Sequence, residues 1–299
     1  MNRTLPPPEN YRRLNKKHFP SNIGFAILAI PLIIFILFIG FMVFYLFKNG
    51  INVISWKFLT QPPEKGMTAG GIFPCIIGTL YVTLISLLFS VPVGLFSGIY
   101  LAEYAPNNSI TQVMRSSIRA LAGIPSIVYG LFGVALFIRA FQIGLSVLAS
   151  GLTLGLMSLP WIITTVEESI TAIPNSFREG ALALGATKWE SIRRNVLPYA
   201  FPGILTGVLL AIARTVGETA PILFTGVTYF TRQIPRSPLE KFMALPYHIF
   251  VLATQHDQLT KVRPIAFATA VVLLIFVLGF DIIAFFTRMR FAATNKWQV

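Results

Sequence analysis

Residues 176–198 read SFREGALALGATKWESIRRNVLP, a polar stretch between two long apolar runs. Ser176 and Glu179 stand three residues apart, as do Thr187 and Glu190. Each pair fits the capping box, in which a hydroxyl and a carboxylate satisfy the free backbone amides of a helix start. The stretch therefore predicts two short capped helices held against a membrane.

Gly185 lies between the two predicted helices, where a left-handed residue ends a helix without a Cβ penalty. The small residues Gly180 and Ala181 in the first helix leave room for the surface of another protein. Trp189 and the cations of the second helix instead suit a hairpin that lies on lipid headgroups. From these features alone, a protein-docking loop and an interfacial hairpin both remain open.

The composition is that of an integral membrane protein. Hydrophobic residues make up 55% of the chain and charged residues 12%, and the mean hydropathy is +0.71. A water-soluble fold of this composition would expose more apolar surface than water tolerates. Because the apolar runs lack the alternation of a β-barrel, the predicted fold class is an all-α membrane protein.

Six apolar runs are long enough to cross a hydrocarbon core of about 30 Å. The third and fourth are close together in sequence, which predicts a tight helical hairpin. The first follows a basic segment but ends without a small-x-small cleavage pattern, which indicates a retained anchor. The runs are 23–47, 74–102, 117–138, 143–166, 199–226 and 264–287.

The positions of Lys and Arg predict that both termini are cytoplasmic. This orientation places most of the basic residues near the membrane inside, and those in the long loop 227–263 count less because long loops translocate regardless of charge. The polar stretch 176–198 then faces the cytoplasm. Attraction to lipid headgroups explains most of the net charge of +13, and a basic outer face could also attract anions. No nucleic acid is expected, since the cations form no aromatic-interleaved groove.

Arg214 and Glu218 are conspicuous because they lie inside the fifth apolar run, four residues apart on one helical face. Charges at that depth usually face a bundle interior or an aqueous cavity and mark a pathway. A guanidinium offers two parallel donors to an oxyanion, and Glu218 can hold it between substrate passages. The alternative is a salt bridge that only locks the helix to its neighbours. Pro221 predicts a bend or an end of the helix.

Other candidate groups carry less weight. Glu103, Glu167 and Glu168 lie near helix ends, where solvated faces are the ordinary explanation. Asp281 lies deeper in the last run, and its partner is not evident from the sequence. The three histidines are scattered, so no metal site is predicted, and Cys75, the single cysteine, is expected to pack in the interior.

The sequence contains no nucleotide-binding signature. The nearest approach to a phosphate loop, residues 185–188, lacks the second glycine and the hydroxyl of G-x-x-x-x-G-K-[ST]. No Ser/His/Asp or Cys/His arrangement is visible, so no catalytic residue is predicted. If transport is active, its energy comes from a partner or an ion gradient.

Four motifs carry a resemblance to a known family. Glu179-Gly180-Ala181, followed by Gly185 and by Leu197-Pro198, resembles the cytoplasmic loop that type I ABC importer permeases insert into their ATPase subunit. Gly180 stands where alanine is usual, and Asn195 where isoleucine is. The other motifs are LAEYAP at 101–106, GIPSIVYG at 123–130 and ARTVGETAP at 213–221. Together they resemble phosphate importer permeases, and the last resembles the A-type subunit.

The resemblance implies a fold of six transmembrane helices with a cytoplasmic helix-turn-helix coupling loop. It implies a complex in the prokaryotic inner membrane with a second, C-type permease, an ATPase dimer and an extracytoplasmic phosphate-binding protein. ATP is bound by the ATPase, so this chain needs no cofactor. The implied substrate path uses Arg214 and Glu218, and the implied ATPase contacts are Glu179, Gly180, Ala181, Gly185, Leu197 and Pro198.

The predicted organisation has three parts: a cytoplasmic basic tail at 1–22, a transmembrane permease domain at 23–290 with its coupling loop at about 175–198, and a cytoplasmic tail at 291–299. Two rival functions remain. One is an importer of the same architecture for sulfate or molybdate. The other is a gradient-driven transporter or channel, which would need no ATPase.

Overall fold

The computed structural model describes residues 21–294. Predicted tail residues 1–20 and 295–299 lie outside the described residues. The described chain forms α1 (Ser21–Gly50), α2 (Trp56–Thr60), α3 (Phe73–Ile99), α4 (Ser109–Ala122), α5 (Ser126–Gly133), α6 (Val147–Thr171), α7 (Ser176–Ala183), α8 (Lys188–Ser191), α9 (Leu197–Gly217), α10 (Ala220–Thr225), α11 (Leu245–Thr254) and α12 (Leu259–Thr294).

Short irregular elements connect these helices. β1 (Pro63–Glu64) and β2 (Ala69–Gly70) form a small antiparallel sheet in which Pro63 lies opposite Gly70. Single-turn 3-10 helices occur at Ile51–Val53 and Lys65–Met67. π-helical turns extend α3 and α5 and join α8 to α9; they are Tyr100–Tyr104, Val134–Ala140 and Ile192–Val196.

The described part of the chain contains five helical segments long and apolar enough to cross a membrane. They are Ile27–Val53, Phe73–Tyr104, Val147–Thr171, Lys188–Gly217 and Leu259–Thr287. A sixth crossing is formed if the bent pair Ser109–Ala122 and Ser126–Ala140 counts as one span. These six segments correspond to the six predicted runs.

Two of the predicted spans are not continuous. The run 117–138 is broken between α4 and α5, which bend by 102°. Pro125 causes the break, because a proline disfavours helical backbone at the preceding residue. The run 199–226 breaks after Gly217, where Glu218 has an extended backbone (φ −76°, ψ 132°) and Pro221 lies in the first turn of α10.

Contacts divide the chain into one compact unit up to Lys48 and a second from Asn49. The second unit is organised by the parallel helices α3 and α6, whose small residues allow close approach. A Cβ added to Gly94 would lie 2.5 Å from Ile162, and one added to Gly98 would lie 2.6 Å from Val166. On α6, Gly151 stands in the same relation to Ile85. The glycines therefore fix the register of the two helices.

Two apolar clusters fill the second unit. One joins α3, α6, α11 and α12 and includes the buried Cys75, as predicted, with Leu154, Phe242 and Leu252. The other lies toward the opposite end of α3 and α6, where Ile99, Val166 and Ile170 meet the π-helical turn 192–196 and α9. The site described below lies on α9, beside the second cluster.

The segment 227–263, expected as a long loop, contains a buried helix. Residues 242–248 are all buried, and the Leu245 amide donates to the Thr79 hydroxyl of α3 (2.9 Å). α11 has only 10 residues, which is too few to span a membrane. A search of the sequence for membrane-spanning runs therefore did not predict this helix. Burial, with a smaller contribution from the nearby His256, lowers the pKa of His248 in α11 to about 4.

Candidate functional site

The end of α9 positions the predicted charged pair. Arg214 lies in the last turn of α9, and Glu218 follows the helix with an extended backbone. The Glu218 amide donates to the Thr215 carbonyl (3.3 Å). The two side chains remain together, with Arg214 Nε 3.5 Å from Glu218 Oε1. Glu218 is thus beyond the helix, and not on its face as predicted, but the pairing itself is present.

The ion pair leaves hydrogen-bonding capacity on the arginine. Nε of Arg214 is buried and, among the described residues, has no hydrogen-bond partner of good geometry. The guanidinium carbon lies 5.5 Å from the centre of the Trp161 ring of α6, close enough for a cation–π contact. Trp161 and Glu218 therefore hold the guanidinium from two sides without saturating its donors.

Arg214 borders a recess of about 270 Å³ between α6 and α9. Since a water occupies about 30 Å³ in the liquid, a small hydrated anion fits there. The Ser158 hydroxyl, also on the lining, is 3.1 Å from the buried Thr215 hydroxyl. Both hydroxyls donate to backbone carbonyls of their own helices, to Leu154 (3.0 Å) and Ala211 (2.8 Å), so the group that the recess offers to an oxyanion is the Arg214 cation.

The motifs GIPSIVYG (123–130) and ARTVGETAP (213–221) come into contact beside this site. α5 packs on α10, and a Cβ added to Gly130 would lie 3.1 Å from Pro221 Cα and 3.0 Å from the Phe224 ring. GIPSIVYG therefore supplies a glycine that lets α5 approach the segment that follows Glu218. The short helix α10, which follows the break after Gly217, is thus packed against α5.

The stretch 176–198 begins with the predicted helix and turn. α7 covers Ser176–Ala183, and Gly185 has φ +82°, the left-handed conformation expected for the turn. Thr187 and Glu190 form the predicted capping box, with Glu190 N to Thr187 Oγ1 at 3.3 Å and Thr187 N to Glu190 Oε2 at 2.9 Å.

The other two predictions for this stretch are wrong. Asn175 is already helical and makes no side-chain cap hydrogen bond within residues 21–294, so Ser176 is inside α7 and does not cap it. The second helix is not short, because α8 continues through the π-helical turn into α9 as one segment, Lys188–Gly217. The hairpin is therefore continuous with the span that carries Arg214.

The predicted ATPase contacts are placed differently from one another. Glu179, Gly180 and Gly185 are exposed on the hairpin, whereas the Ala181 side chain is buried. Leu197 and Pro198 begin α9. Leu184 is 91% exposed and Leu182 is 49% exposed. Sequence reasoning missed these leucines, although two leucines beside a left-handed glycine on a polar helix were a usable signal for a docking surface.

Arg178 ties α7 to the rest of the bundle. Its Nη2 and Nε donate to Glu103 Oε1 at 2.7 and 2.8 Å, and its other bonds go to the carbonyls of Ile173 (2.7 Å) and Ile170 (2.9 Å). The Glu103 side chain is only 5% exposed, so the prediction that it faces solvent is wrong. The interaction joins the ends of α3 and α6 to the hairpin.

Further contacts reinforce this junction. Lys188 Nζ donates to the Glu103 carbonyl and lies 4.7 Å from the centre of the Tyr104 ring. Arg115 of α4 pairs with Glu167 of α6 (2.5 Å) and donates to the Leu101 carbonyl (2.8 Å). Glu167 is thus also paired, unlike Glu168, which is exposed as predicted. Glu103 and Lys188 link LAEYAP to the hairpin.

Asp281 is exposed on α12. The described residues contain no group of three or more His, Cys, Asp or Glu side chains that could hold a metal ion.

A helical membrane bundle with a charged pair at a broken span is typical of a multi-pass membrane transport protein. The chain belongs to the family described as the binding-protein-dependent transport system inner membrane component, which matches residues 90–290. Its members are membrane permease subunits of ABC importers, a non-catalytic component, and this chain is one of them.

Curated relatives cover most of this chain. The probable ABC transporter permease protein YqgI of Bacillus subtilis (strain 168) is 34% identical over 251 residues, covering 80% of this chain and 85% of that protein. The phosphate transport system permease protein PstA of Haemophilus influenzae is 32% identical over 276 residues, covering 92% and 94%. The resemblance to phosphate permeases is thereby confirmed.

Solved structures share the fold. A bacterial ABC transporter that imports the acidic polysaccharide alginate matches with a TM-score of 0.65 at 17% identity, covering 93% of this chain and 99% of that one. The inward-facing MetNI methionine ABC transporter matches with a TM-score of 0.59 at 20% identity, covering 73% and 94%. The predicted importer permease fold is confirmed.

Proposed function

We propose that this chain is the A-type permease subunit of an ATP-driven importer of inorganic phosphate, forming half of the translocation path with a second permease. The observation that carries the proposal is the Arg214 guanidinium, a charge in the last turn of a membrane-crossing helix that borders the recess between α6 and α9. Relatives named as phosphate transport permeases support the choice of anion.

Arg214 acts as a transient contact for the anion. A guanidinium binds an oxyanion through two parallel hydrogen bonds, and the Trp161 ring lies within cation–π distance of this one. Glu218 competes with the anion for the same cation, so binding stays weak and release is easy. Weak binding is adequate because an extracytoplasmic binding protein delivers the substrate.

The hairpin 176–191 docks the ATPase. The exposed Glu179, Gly180 and Gly185, together with Leu182 and Leu184, form the contact surface. ATP binding by the ATPase dimer moves the hairpin, and the Arg178–Glu103 bond and the continuous segment 188–217 pass that motion to α3, α6 and α9. The bundle then opens to the phosphate-binding protein, and hydrolysis resets it.

The test measures phosphate uptake and ATP hydrolysis together in vesicles that contain the whole complex. Arg214→Ala is expected to lower uptake at least about tenfold, since a charge-assisted hydrogen bond contributes about 1.5–3 kcal/mol, while hydrolysis persists. Glu179→Ala is expected to uncouple hydrolysis from uptake. The exposed Arg139→Ala is the matched control. Normal uptake by Arg214→Ala would make the Arg214–Glu218 pair structural.

Anion competition separates phosphate from its rivals. Unlabelled phosphate is expected to compete with labelled phosphate uptake at concentrations where sulfate and molybdate do not. Stronger competition by sulfate or molybdate would assign the importer to that anion. Uptake without any ATPase subunit would instead favour a gradient-driven transporter.

A further inference from the structure

We propose that this chain binds one anionic phospholipid in a cleft between α3 and the segment 232–238. The cleft has two adjoining parts that share Tyr81 and Arg236. One part is an apolar groove and the other is an arginine recess, so the cleft has the chemistry of an amphiphile. The inference does not depend on which anion the importer carries.

The apolar groove measures about 280 Å³. Its walls are Leu84 and Ile85 of α3, Val147 at the start of α6, and Pro238. Leu84 is 55% exposed. A free inorganic anion gains nothing from such walls, whereas an acyl chain gains contact with them.

The arginine recess measures about 510 Å³ and is lined by Tyr81, Arg232 and Arg236 among others. The Arg236 amide donates to Glu240 Oε2 (2.9 Å), which places one carboxylate nearby. The two guanidinium groups still outnumber it. Clustered cations beside membrane helices are the chemistry that holds anionic headgroups.

Helix register places the boundary between the two parts at the N-terminal end of α6 and about two turns inside the N-terminal end of α3. Gly151 lies against Ile85, and these residues follow Val147 and Tyr81 by one helical turn each. Tyr81 is therefore level with Val147, the first residue of α6. A tyrosine at that level is typical of the membrane interface, and the arginines lie with it while Leu84 lies deeper.

The segment 232–238 is held in place by α6. The amides of Val147 and Leu148, which start α6, donate to the carbonyls of Glu240 (2.9 Å) and Pro238 (2.8 Å). These bonds satisfy free amides of the helix start and fix the loop beside the groove. The cleft is therefore built by backbone contacts and does not depend on the positions of the arginine side chains.

The test counts lipids bound to the purified complex by native mass spectrometry. Dioleoylphosphatidylglycerol and dioleoylphosphatidylcholine are titrated separately into detergent-solubilised complex. At about 1 kcal/mol for each basic residue, Arg232→Gln and Arg236→Gln are each expected to weaken phosphatidylglycerol binding about fivefold, and the double variant about thirtyfold. The exposed Arg139→Gln, outside the recess, is expected to change nothing. An unchanged double variant, or equal affinity for both lipids, would overturn the proposal.

A second variant tests the apolar part. Leu84→Trp fills the groove and is expected to remove the bound lipid while both arginines remain. If Leu84→Trp has no effect and millimolar inorganic phosphate displaces the lipid, the recess is a free-anion site. If Leu84→Cys forms a disulfide-linked product with a cysteine introduced in the second permease, the groove is a subunit interface. Either result overturns the proposal.

Discussion

Arg178 shows how one side chain can link the hairpin to two spans. Its partner Glu103 lies 75 residues away in sequence, and the bonds to the Ile170 and Ile173 carbonyls also cap the end of α6. Nothing local to Glu103 indicates this partner. Sequence reasoning therefore placed Glu103 in solvent, because the ordinary state of a carboxylate at a helix end is exposure.

Removing Arg178 is expected to damage stability and coupling together. Arg178→Met leaves a nearly buried carboxylate without its cation, which costs about 3 kcal/mol. Glu103→Gln keeps one hydrogen-bond acceptor and is expected to cost less. Thermal unfolding in detergent measures the first effect, and ATP hydrolysed per anion transported measures the second.

Glu168→Gln, on the same end of α6 but exposed, is the control for those variants. A double variant Arg178→Met with Glu103→Met is expected to regain stability but not coupling, since the buried charge is gone and so is the link. Full coupling in that double variant would show that the Arg178–Glu103 bond only stabilises the fold.

Arg214→Lys tests the geometry of the anion contact. Lysine keeps the charge but loses the planar pair of donors. Uptake is expected to fall about tenfold or more, close to the value for Arg214→Ala. Uptake at the level of the unaltered chain would contradict a two-donor contact and leave only a requirement for positive charge.

At the scale of elements, the hairpin depends on one left-handed residue. Gly185→Ala is expected to destabilise the turn by about 1–2 kcal/mol, because a Cβ is strained at φ +82° even where space is open. The expected result is weaker ATPase binding by the permease pair, measured by co-purification or titration.

Gly180→Ala is the matched change on the same hairpin. Gly180 lies inside α7, and a Cβ built there meets no described atom within 4 Å. Alanine is therefore expected to stabilise the helix by about 0.5–1 kcal/mol. Equal losses of ATPase binding in Gly180→Ala and Gly185→Ala would show that the ATPase has no room for a Cβ at either position. Strain in the turn would then not be the cause of the weaker binding.

The elements show which features the sequence could reveal. The Thr187 capping box and the Gly185 turn depend on residues a few positions apart, so the local pattern was sufficient. The breaks at 123–125 and after Gly217 were hidden inside apolar runs, because hydropathy reports composition and not the direction of the helix axis. Pro125 and Pro221 mark both breaks, yet only Pro221 was recognised.

At the scale of the whole molecule, the five continuous membrane-crossing helices of the described residues were predictable because length and apolarity alone define them. The parallel register of α3 and α6 was not, since it depends on Gly94, Gly98 and Gly151 meeting side chains far away in sequence. Of the two side chains next to Arg214, the sequence predicted Glu218 but not Trp161. Glu218 is close in sequence, whereas Trp161 belongs to α6 and is brought there only by the fold.

The buried His248 makes global stability depend on pH. Its pKa of about 4 in the folded state lies below the value of 6.5 for an exposed histidine, so the unfolded chain takes up a proton first as the pH falls. The contribution to stability is complete above about pH 6.5 and is lost between that value and pH 4, by up to about 3 kcal/mol.

Thermal unfolding in detergent at pH 7 and pH 5 measures this loss. His248→Gln cannot titrate and is expected to show a smaller decrease in melting temperature between the two values than the unaltered chain. An identical decrease in both proteins would assign the pH dependence to other groups.

The helical segment Lys188–Gly217, which includes the π-helical turn 192–196 and Pro202, has a mechanical consequence. At 1.5 Å per residue its 30 residues extend about 45 Å, and Arg214 lies about 39 Å from Lys188. The segment is a lever arm, for which a tilt of only about 5° at the capped end corresponds to a displacement of about 3 Å at the guanidinium. A shift of that size is enough to make or break a hydrogen bond at Arg214. A small movement of the hairpin at the membrane surface is therefore sufficient to change the contacts of the guanidinium.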